Sequence, residues 1–491
     1  MSNTLLADGP YKDIPSTSNK ALRINLNKNI YGSFAEIGAG QETVRHFFRA
    51  GGASGTIAKT MSAYDKSFSD AIYGLEPTGR YVTEERLQKM LGHEMKLLER
   101  RITRDLNPNK LFFTYANTVA TIDFSKKYKG HGWLGIQFQL HPDEEEYNEI
   151  VLHVRFHENE AIHQQNTLGV VGVNLIYGAF YHFNDPKKLI RCLYDNIDQD
   201  SIEIDTINFS GPQFKDVDNR LMSLVLLKNG MTDAVMFGPD GKNILPASIL
   251  YKKNILAFRG SFRPITKVGI DIYNNARDLF LQEKRVTEKN TEVIFEITLA
   301  NLSAEGTIDE ADFMDRARLL SSLGYTVLLS NFQEYYKLVE YFARFSKMRI
   351  GLAMGVDNLI EVFNRKYYEK LSGGILEASG KLFSKNMKVY LYPMLVKDTK
   401  EIINSGKVDR YLEEEVVQLY HYFRNNGRIA DITNYNPEYL HIFSKEVLKM
   451  IENDEEGWED LLPEGVPNII KEQCLFSCVA IPSLRNKNKT E

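Results

Sequence analysis

Residues able to do chemistry gather in a few stretches of the 491-residue chain. The first is the turn Glu36-Ile37-Gly38-Ala39-Gly40-Gln41, between a strand-like IYGSFAEIG and a helix-like ETVRHFFRA. Glycines in such a turn let backbone N–H groups approach a phosphate or carboxylate at a helix amino end. The following RAGGASGTIAKTMSAYDKSFSD adds Gly51, Gly52, Gly55, Lys59, Thr60, Ser62 and Asp65. Residues 36–65 are therefore expected to shape a polar ligand pocket, with Gly38, Gly40, Gln41 and Lys59 as binding groups. A purely structural turn is the alternative.

The second set lies where βα strands should end, the edge at which parallel α/β sheets bind ligands. It comprises Asp205 and Asn208, Arg259 and Arg263, Asp271, Glu296 and Asn301, Ser330 and Asn331, and Asn358. Arg259 and Arg263 suit a phosphorylated or carboxylated ligand, with Ser330 and Asn331 beside them, while Asp205 and Glu296 are acid–base groups or ligands for a divalent cation such as Mg²⁺. The same acids and arginines could equally be buried structural ion pairs. A third stretch, SGGILEASGKLFSKN, offers Gly373 and Gly374 as backbone contacts for a phosphate at a helix start, with a plain helix start as the alternative.

Among ten histidines, His131 in KGHGWLGIQF stands at a strand start, where a ring could act as acid, base or ligand donor; an ordinary turn histidine is the alternative. His153, His157 and His163 are the densest group, but a strand need not bring their side chains together. His-Glu-x-x-His, Gly-x-Ser-x-Gly and a complete Walker A loop are all absent from the sequence. Cys474 and Cys478 stand four apart without a matching second pair, so a structural zinc site is not expected.

The elements that must position these residues follow from pattern. With 43% hydrophobic and 25% charged residues, the composition is that of a folded globular chain of two to four domains. A net charge of -5 gives no global excess of cations for a nucleic acid backbone, so nucleic acid is not an expected partner. Three cysteines suit a reducing compartment; with no secretory signal pattern and no apolar run long enough to span a bilayer, the expected setting is the cytoplasm, away from membranes. LGVVGVNLIYGAFYHF at 168–183 reads as a buried core helix.

Residues 1–29 read as a polar arm with little core. Residues 30–197 read as an α+β domain: the amphipathic TEERLQKMLGHEMKLLERRITRD with Thr83 as N-cap, then strands at 110–124, 132–140 and 149–157 in an antiparallel sheet. Residues 198–483 alternate strands and helices, starting with SIEIDTINF and including DAVMFG, KNILAFRG and VGIDIY as strands, and end in helices; residues 484–491 form a polar tail. The expected fold class is α/β: a C-terminal (β/α) barrel-like or doubly wound parallel sheet domain preceded by the α+β domain.

The strings FAEIGAGQETVRHFFRAGGASGTIAKTMSAYD, HGWLGIQFQ, QQNTLGVVGVNLIYGAFY, DNRLMSLVLLKNGMTDAVMF and NYNPEYLHIF resemble a little-characterised bacterial family, over residues from about 30 to 480. Its members carry two labels, nicotinate-nucleotide adenylyltransferase and TonB-dependent receptor. The lipid-facing alternation of an outer-membrane barrel is missing from this chain, against the second label. The first implies nucleotidyl transfer; His131-Gly132 does not reproduce the His-x-Gly-His motif of that class, and STSNKALR at 16–23 is at the wrong end of the chain for its late phosphate motif. The expectation is an enzyme acting on a phosphorylated, nucleotide-like small molecule, with a non-catalytic ligand-binding or protein-interaction scaffold as the alternative and the oligomeric state open.

Overall fold

The computed structural model describes residues 14–303 and 306–478; residues 1–13 of the expected arm and the 484–491 tail lie outside them. The chain divides into two compact units, Met1–Thr232 and Asp233–Glu491.

The first unit contains α1 (Thr17–Asn25), β1 (Ile30–Gly38), α2 (Thr43–Ala50), β2 (Ile57–Met61), α3 (Lys66–Tyr73), α4 (Glu84–Arg101), β3 (Leu111–Ala120), β4 (His131–Phe138) and β5 (Asn148–Phe156). It continues through α5 (Ala161–Tyr181), α6 (Pro186–Cys192), β6 (Ile202–Ser210) and α7 (Asn219–Lys228). The strands form one mixed sheet in the order β2-β1-β3-β4-β5-β6, parallel from β2 to β3 and antiparallel from β3 to β6. Apolar side chains of α1, α2, α5, α6 and α7 fill the core over one face. The opposite face takes α4, whose Leu87 and Leu91 sit on Gly135; a Cβ there would lie 3.0 Å from Leu91. Thr83 caps α4 as expected, its side chain accepting from the Arg86 N–H.

Two expectations change here. The arm does carry core: α1 buries Ala21 and Ile24, and its fully buried Lys20 is paired with Asp195 at 2.5 Å and donates to the Asn174 amide oxygen at 2.8 Å. Residues 201–209 do not open the βα repeats; as β6 they pair antiparallel with β5, so the first compact unit runs to Thr232 and not to 197. A short apolar strand looks the same whichever sheet it joins, and pairing alone assigns it.

The second unit contains β7 (Ala234–Phe237), β8 (Asn243–Ile244), α8 (Pro246–Leu250), β9 (Asn254–Arg259), α9 (Lys267–Leu281), β10 (Thr291–Thr298), α10 (Leu299–Leu302), α11 (Glu310–Ser322), β11 (Thr326–Ser330), α12 (Tyr335–Phe345), β12 (Ile350–Gly355) and α13 (Val356–Val362). There follow α14 (Gly374–Leu382), β13 (Met387–Tyr392), a small hairpin of β14 (Met394–Leu395) and β15 (Ile402–Ile403), α15 (Glu414–Asn425), β16 (Ile429–Asp431), α16 (Ser444–Glu452) and α17 (Val466–Gln473).

Its main sheet runs β16-β13-β12-β9-β10-β11-β7-β8. The first six strands are parallel, and β7 and β8 are antiparallel additions. The sheet is open and doubly wound, which decides against the barrel. Counted from β9, the parallel strands stand in the order 3-2-1-4-5-6, with the switch point between β9 and β12. VGIDIY, expected as a strand, is the first half of α9. Its Val268, Ile270 and Ile272 mimic strand alternation, but the segment is helical for 15 residues and buries the adjacent Asn275 and Ala276 together with Phe280. Among the described residues no helix is long and apolar enough to cross a membrane, and the long apolar helix α5 is buried in the first unit.

Candidate functional site

Residues directly opposite in an antiparallel pair point to the same face. His131 stands opposite Arg155 and Trp133 opposite His153, all on the α4 face because Gly135 of the same β4 row meets α4. The β5–β6 ladder breaks beside them: His153 pairs with Thr206 and Val154 with Ile204, leaving Asp205 as the extra residue of a bulge. A bulge turns its residue out of the regular alternation. Here it brings the Asp205 carboxylate to His153 Nδ1 at 2.6 Å and to Arg155 Nε at 2.7 Å. His153 Nε2 then lies 3.2 Å from His131 Nδ1. The result is a hydrogen-bonded row from a buried carboxylate through a buried imidazole to the partly exposed ring of His131.

The electrostatics follow from this packing. Burial opposes ionisation of Asp205, but the charges and hydrogen bonds of His153 and Arg155 outweigh it and hold the carboxyl below the usual carboxylate range. Burial, reinforced by His153 and Arg155, pushes His131 down to about 4. Whenever His153 carries a single proton, the ionised Asp205 holds it on Nδ1. His153 Nε2 is then an acceptor, His131 Nδ1 donates to it, and His131 Nε2 retains a free lone pair. Glu84, in the first turn of α4, faces the same cluster; burial raises its carboxyl and the Asn208 side chain donates to it.

The glycine turn has a different character. Gly38 has φ +75°, and a Cβ there would stand 2.2 Å from the Val119 carbonyl; one on Gly40 would stand 2.1 Å from the Asn117 side chain. Both glycines are required by close approach of the protein to itself. The N–H groups of Thr43 and Val44, which an external anion would seek, already donate to Glu36 at 3.1 and 3.3 Å. Burial pushes Glu36 up to about 7 against those hydrogen bonds. Gln41 donates to Ser62 at 2.8 Å on the surface. Lys59 lies apart from the turn, at a 420 Å³ cavity between α4 and strands β1 and β2, with Tyr31, Ser33, Glu94 and Arg101 among the lining residues. Its ammonium is 2.5 Å from Glu94, and among the described residues the buried Ser33 hydroxyl has no hydrogen-bond partner.

In the second unit the strand-end residues converge, and they converge on one another. Arg259 grips Glu296 with two hydrogen bonds of 2.8 and 2.9 Å, donates to the Gln333 carbonyl at 2.9 Å and lies over the Tyr335 ring. Ser330 donates to the same carboxylate at 2.6 Å. Arg263 and Arg316 share Asp312. Asp271 accepts from Tyr392, Asn275 and the Asn436 N–H. Asn331 is exposed and its N–H donates to the Asp233 carbonyl. Gly373 is also exposed, and its N–H is taken by Glu377 at 3.0 Å, with Gly374 at φ +51° opening α14. Among the described residues no group of three or more His, Cys, Asp or Glu side chains is gathered to hold a metal ion.

Histidine spacing alone groups His153 with His157 and His163, whereas the alternation of HGW and HVR puts His131, Trp133, His153 and Arg155 on one face once β4 and β5 pair. The bulge at Asp205 has no signature in sequence.

The chain matches no family model, and no curated protein matches it. Among solved structures it is similar to a competence-damaged protein (CinA) superfamily protein from Enterobacter cloacae, at 11% identity over 36% of this chain and 99% of that one, with a TM-score of 0.26. A competence/damage inducible protein CihA from Agrobacterium tumefaciens is similar at 14% identity over 33% and 93%, with a TM-score of 0.22. A CinA superfamily protein from Escherichia coli is similar at 10% identity over 34% and 88%, with a TM-score of 0.23. Likenesses of this size leave the activity to be argued from the chain's own geometry.

Proposed function

We propose that the chain is an enzyme that moves a proton on a phosphorylated, nucleotide-like small molecule. The observation that carries this reading is the row Asp205–His153–His131. A water or hydroxyl nucleophile loses its proton to His131 Nε2; the imidazolium that forms donates from Nδ1 to His153, whose own proton is steadied by Asp205. With His131 held near 4, the ring is unprotonated at neutral pH and returns a captured proton readily to a leaving group. Nucleotidyl transfer, implied by the family resemblance, and hydrolysis both need such a group when the nucleophile is a hydroxyl or water.

The second unit, taken by itself, also favours a nucleotide-like ligand. The order 3-2-1-4-5-6 is that of dinucleotide-binding sheets, an analogy of fold, with the crevice at the carboxyl ends of β9 and β12. There α9 begins with Lys267, and its N-cap Thr266 makes no side-chain capping bond. A Cβ on Gly355, at the end of β12, would meet open space. The scaffold reading is favoured by one observation, the mutual pairing of Arg259, Glu296 and Ser330, which leaves those groups committed to structure.

The test incubates the full chain with nucleotides and sugar phosphates and follows their consumption by mass spectrometry, alongside thermal unfolding. A ligand at a hundred times its Kd should stabilise the protein by about 2.7 kcal/mol. His131→Ala should retain that stabilisation and abolish consumption. Stabilisation with equal consumption by His131→Ala would remove the proton-transfer role, and neither consumption nor stabilisation by any compound would favour the scaffold.

A further inference from the structure

The proposed reading uses the carboxyl edge of the second unit's sheet. Its amino edge carries an unexplained concentration of positive charge. Lys252 and Lys253 precede β9, Lys284, Arg285 and Lys289 precede β10, Lys347 and Arg349 precede β12, Lys385 precedes β13, and Arg428 precedes β16. In a chain of net charge -5 this is a local choice. Four of these cations, Lys284, Arg285, Lys347 and Arg349, line one 300 Å³ depression together with Asn254 and Asn386. Among the described residues no carboxylate lines it. Among the described residues, Arg349 alone of the four has an ion-pair partner, Glu283 at 3.3 Å, and Glu283 is shared with Lys388 at 2.6 Å.

The floor of the depression is fixed. Asn254 is buried, and its amide nitrogen donates to the Arg285 carbonyl at 3.3 Å and to Asn290 Oδ1 at 2.8 Å while its oxygen accepts from the Arg349 N–H at 3.1 Å. One side chain thus holds the backbones of two cation-bearing residues on different loops. Asn386 does the same for Lys347, donating to its carbonyl at 2.7 Å. Arg285 is held at φ +68°, a left-handed conformation that costs an arginine energy. Like charges gathered within a Debye length repel, and the repulsion is relieved by an anion.

We propose that this depression is a binding site for a small polyanion bearing two or more linked phosphate groups. Guanidinium forks suit bidentate phosphate contacts, and lysines add point charges around them. The volume fits a short phosphate chain, and no aromatic ring lines the depression to stack the bases of a nucleic acid strand. The site lies at the opposite edge of the sheet from the β9–β12 crevice and stands whether or not that crevice holds a nucleotide.

Titration calorimetry of the full chain with tripolyphosphate and with inorganic phosphate tests it. Tripolyphosphate should bind at one site, about tenfold or more tighter than phosphate, and weaken as salt rises. Lys284→Ala with Lys347→Ala should weaken it about tenfold or more. Arg285→Gly removes a cation and relieves the left-handed backbone, so affinity should fall while the unfolding temperature holds or rises. Lys96→Ala, in the first unit, should leave binding unchanged. Unchanged affinity in the Lys284 and Lys347 double variant and in Arg285→Gly overturns the assignment, as does loss of binding in Lys267→Ala with retention in those variants, which would move the anion to the carboxyl edge. Tighter binding of a long single-stranded oligonucleotide, lost in the same variants, overturns the small-anion class in favour of a nucleic acid strand.

Discussion

The two units each bring an acid, a base and neighbours together at strand positions, and they end differently. In the second unit Glu296 is filled on both oxygens by Arg259 and Ser330, and Arg259 is filled in turn by Glu296, the Gln333 carbonyl and the Tyr335 ring. In the first unit Asp205 is filled by His153 and Arg155, but the row continues to His131, whose outer nitrogen keeps a lone pair. Residue type and strand-end position do not by themselves make a reactive group. Chemistry needs a hydrogen-bonded row that is satisfied inside and incomplete at its outer end, because a closed ion pair must be broken before either partner can serve a ligand.

The sharpest way to break this contrast is Glu296→Ala. It leaves the Arg259 guanidinium buried with its main partner gone, and should cost about 3–5 kcal/mol in denaturant unfolding. A loss under about 1 kcal/mol would mean the pair is not the structural element described, since that is what exposed pairs contribute.

Glu36 stands between the two cases, a buried acid that caps α2 and titrates near neutrality. Unfolded, its carboxyl has the ordinary value of 4.5; folded, it lies at about 7. Between those values the folded chain keeps a proton that the unfolded chain has released, so this group's contribution to stability falls as pH rises and is fully lost above 7. The change amounts to about 3 kcal/mol. Unfolding curves from pH 4 to 8 should carry this slope, and Glu36→Gln should flatten it; an equal slope in both proteins would refute the assignment.

Asp205→Asn should cost about 2 kcal/mol, because an amide cannot accept from both His153 and Arg155. It also removes the negative charge that favours protonated His131, so the imidazole signals of His131 followed by NMR should titrate at lower pH than in the unsubstituted protein. Movement upward would contradict the row. The smallest stability effect is expected at the open end: His131→Ala should cost about 1 kcal/mol or less in denaturant unfolding while removing turnover.

Much of the architecture was legible from pattern. The α4 stripe with its Thr83 cap, the strands from Leu111 to Phe156, the buried α5 and the repeated βα units all follow from local periodicity and capping chemistry. Convergence of Arg259, Glu296 and Ser330 at strand ends also followed, since parallel neighbours bring those ends to one edge. Other features lay beyond local pattern. Val268, Ile270 and Ile272 alternate like a strand yet begin α9, and α1 hid its two core residues in a polar segment. His153 was seen beside His157 and His163, its neighbours in sequence, whereas its partners His131 and Asp205 come from the adjoining strands.

The class of fold, the near-neutral composition and the supply of acids, bases and glycines depend on residue type and short-range spacing, and so were open to reading from the chain alone. Tertiary structure alone decided which of those groups meet. Strand pairing set His131 and His153 within hydrogen-bond reach, one bulged residue delivered Asp205 to them, and neighbouring parallel strands closed Arg259 onto Glu296. Hydrogen bonds of this kind act over about 3 Å, and contacts at that range between distant residues are fixed by register and by the pleat, which no local pattern encodes.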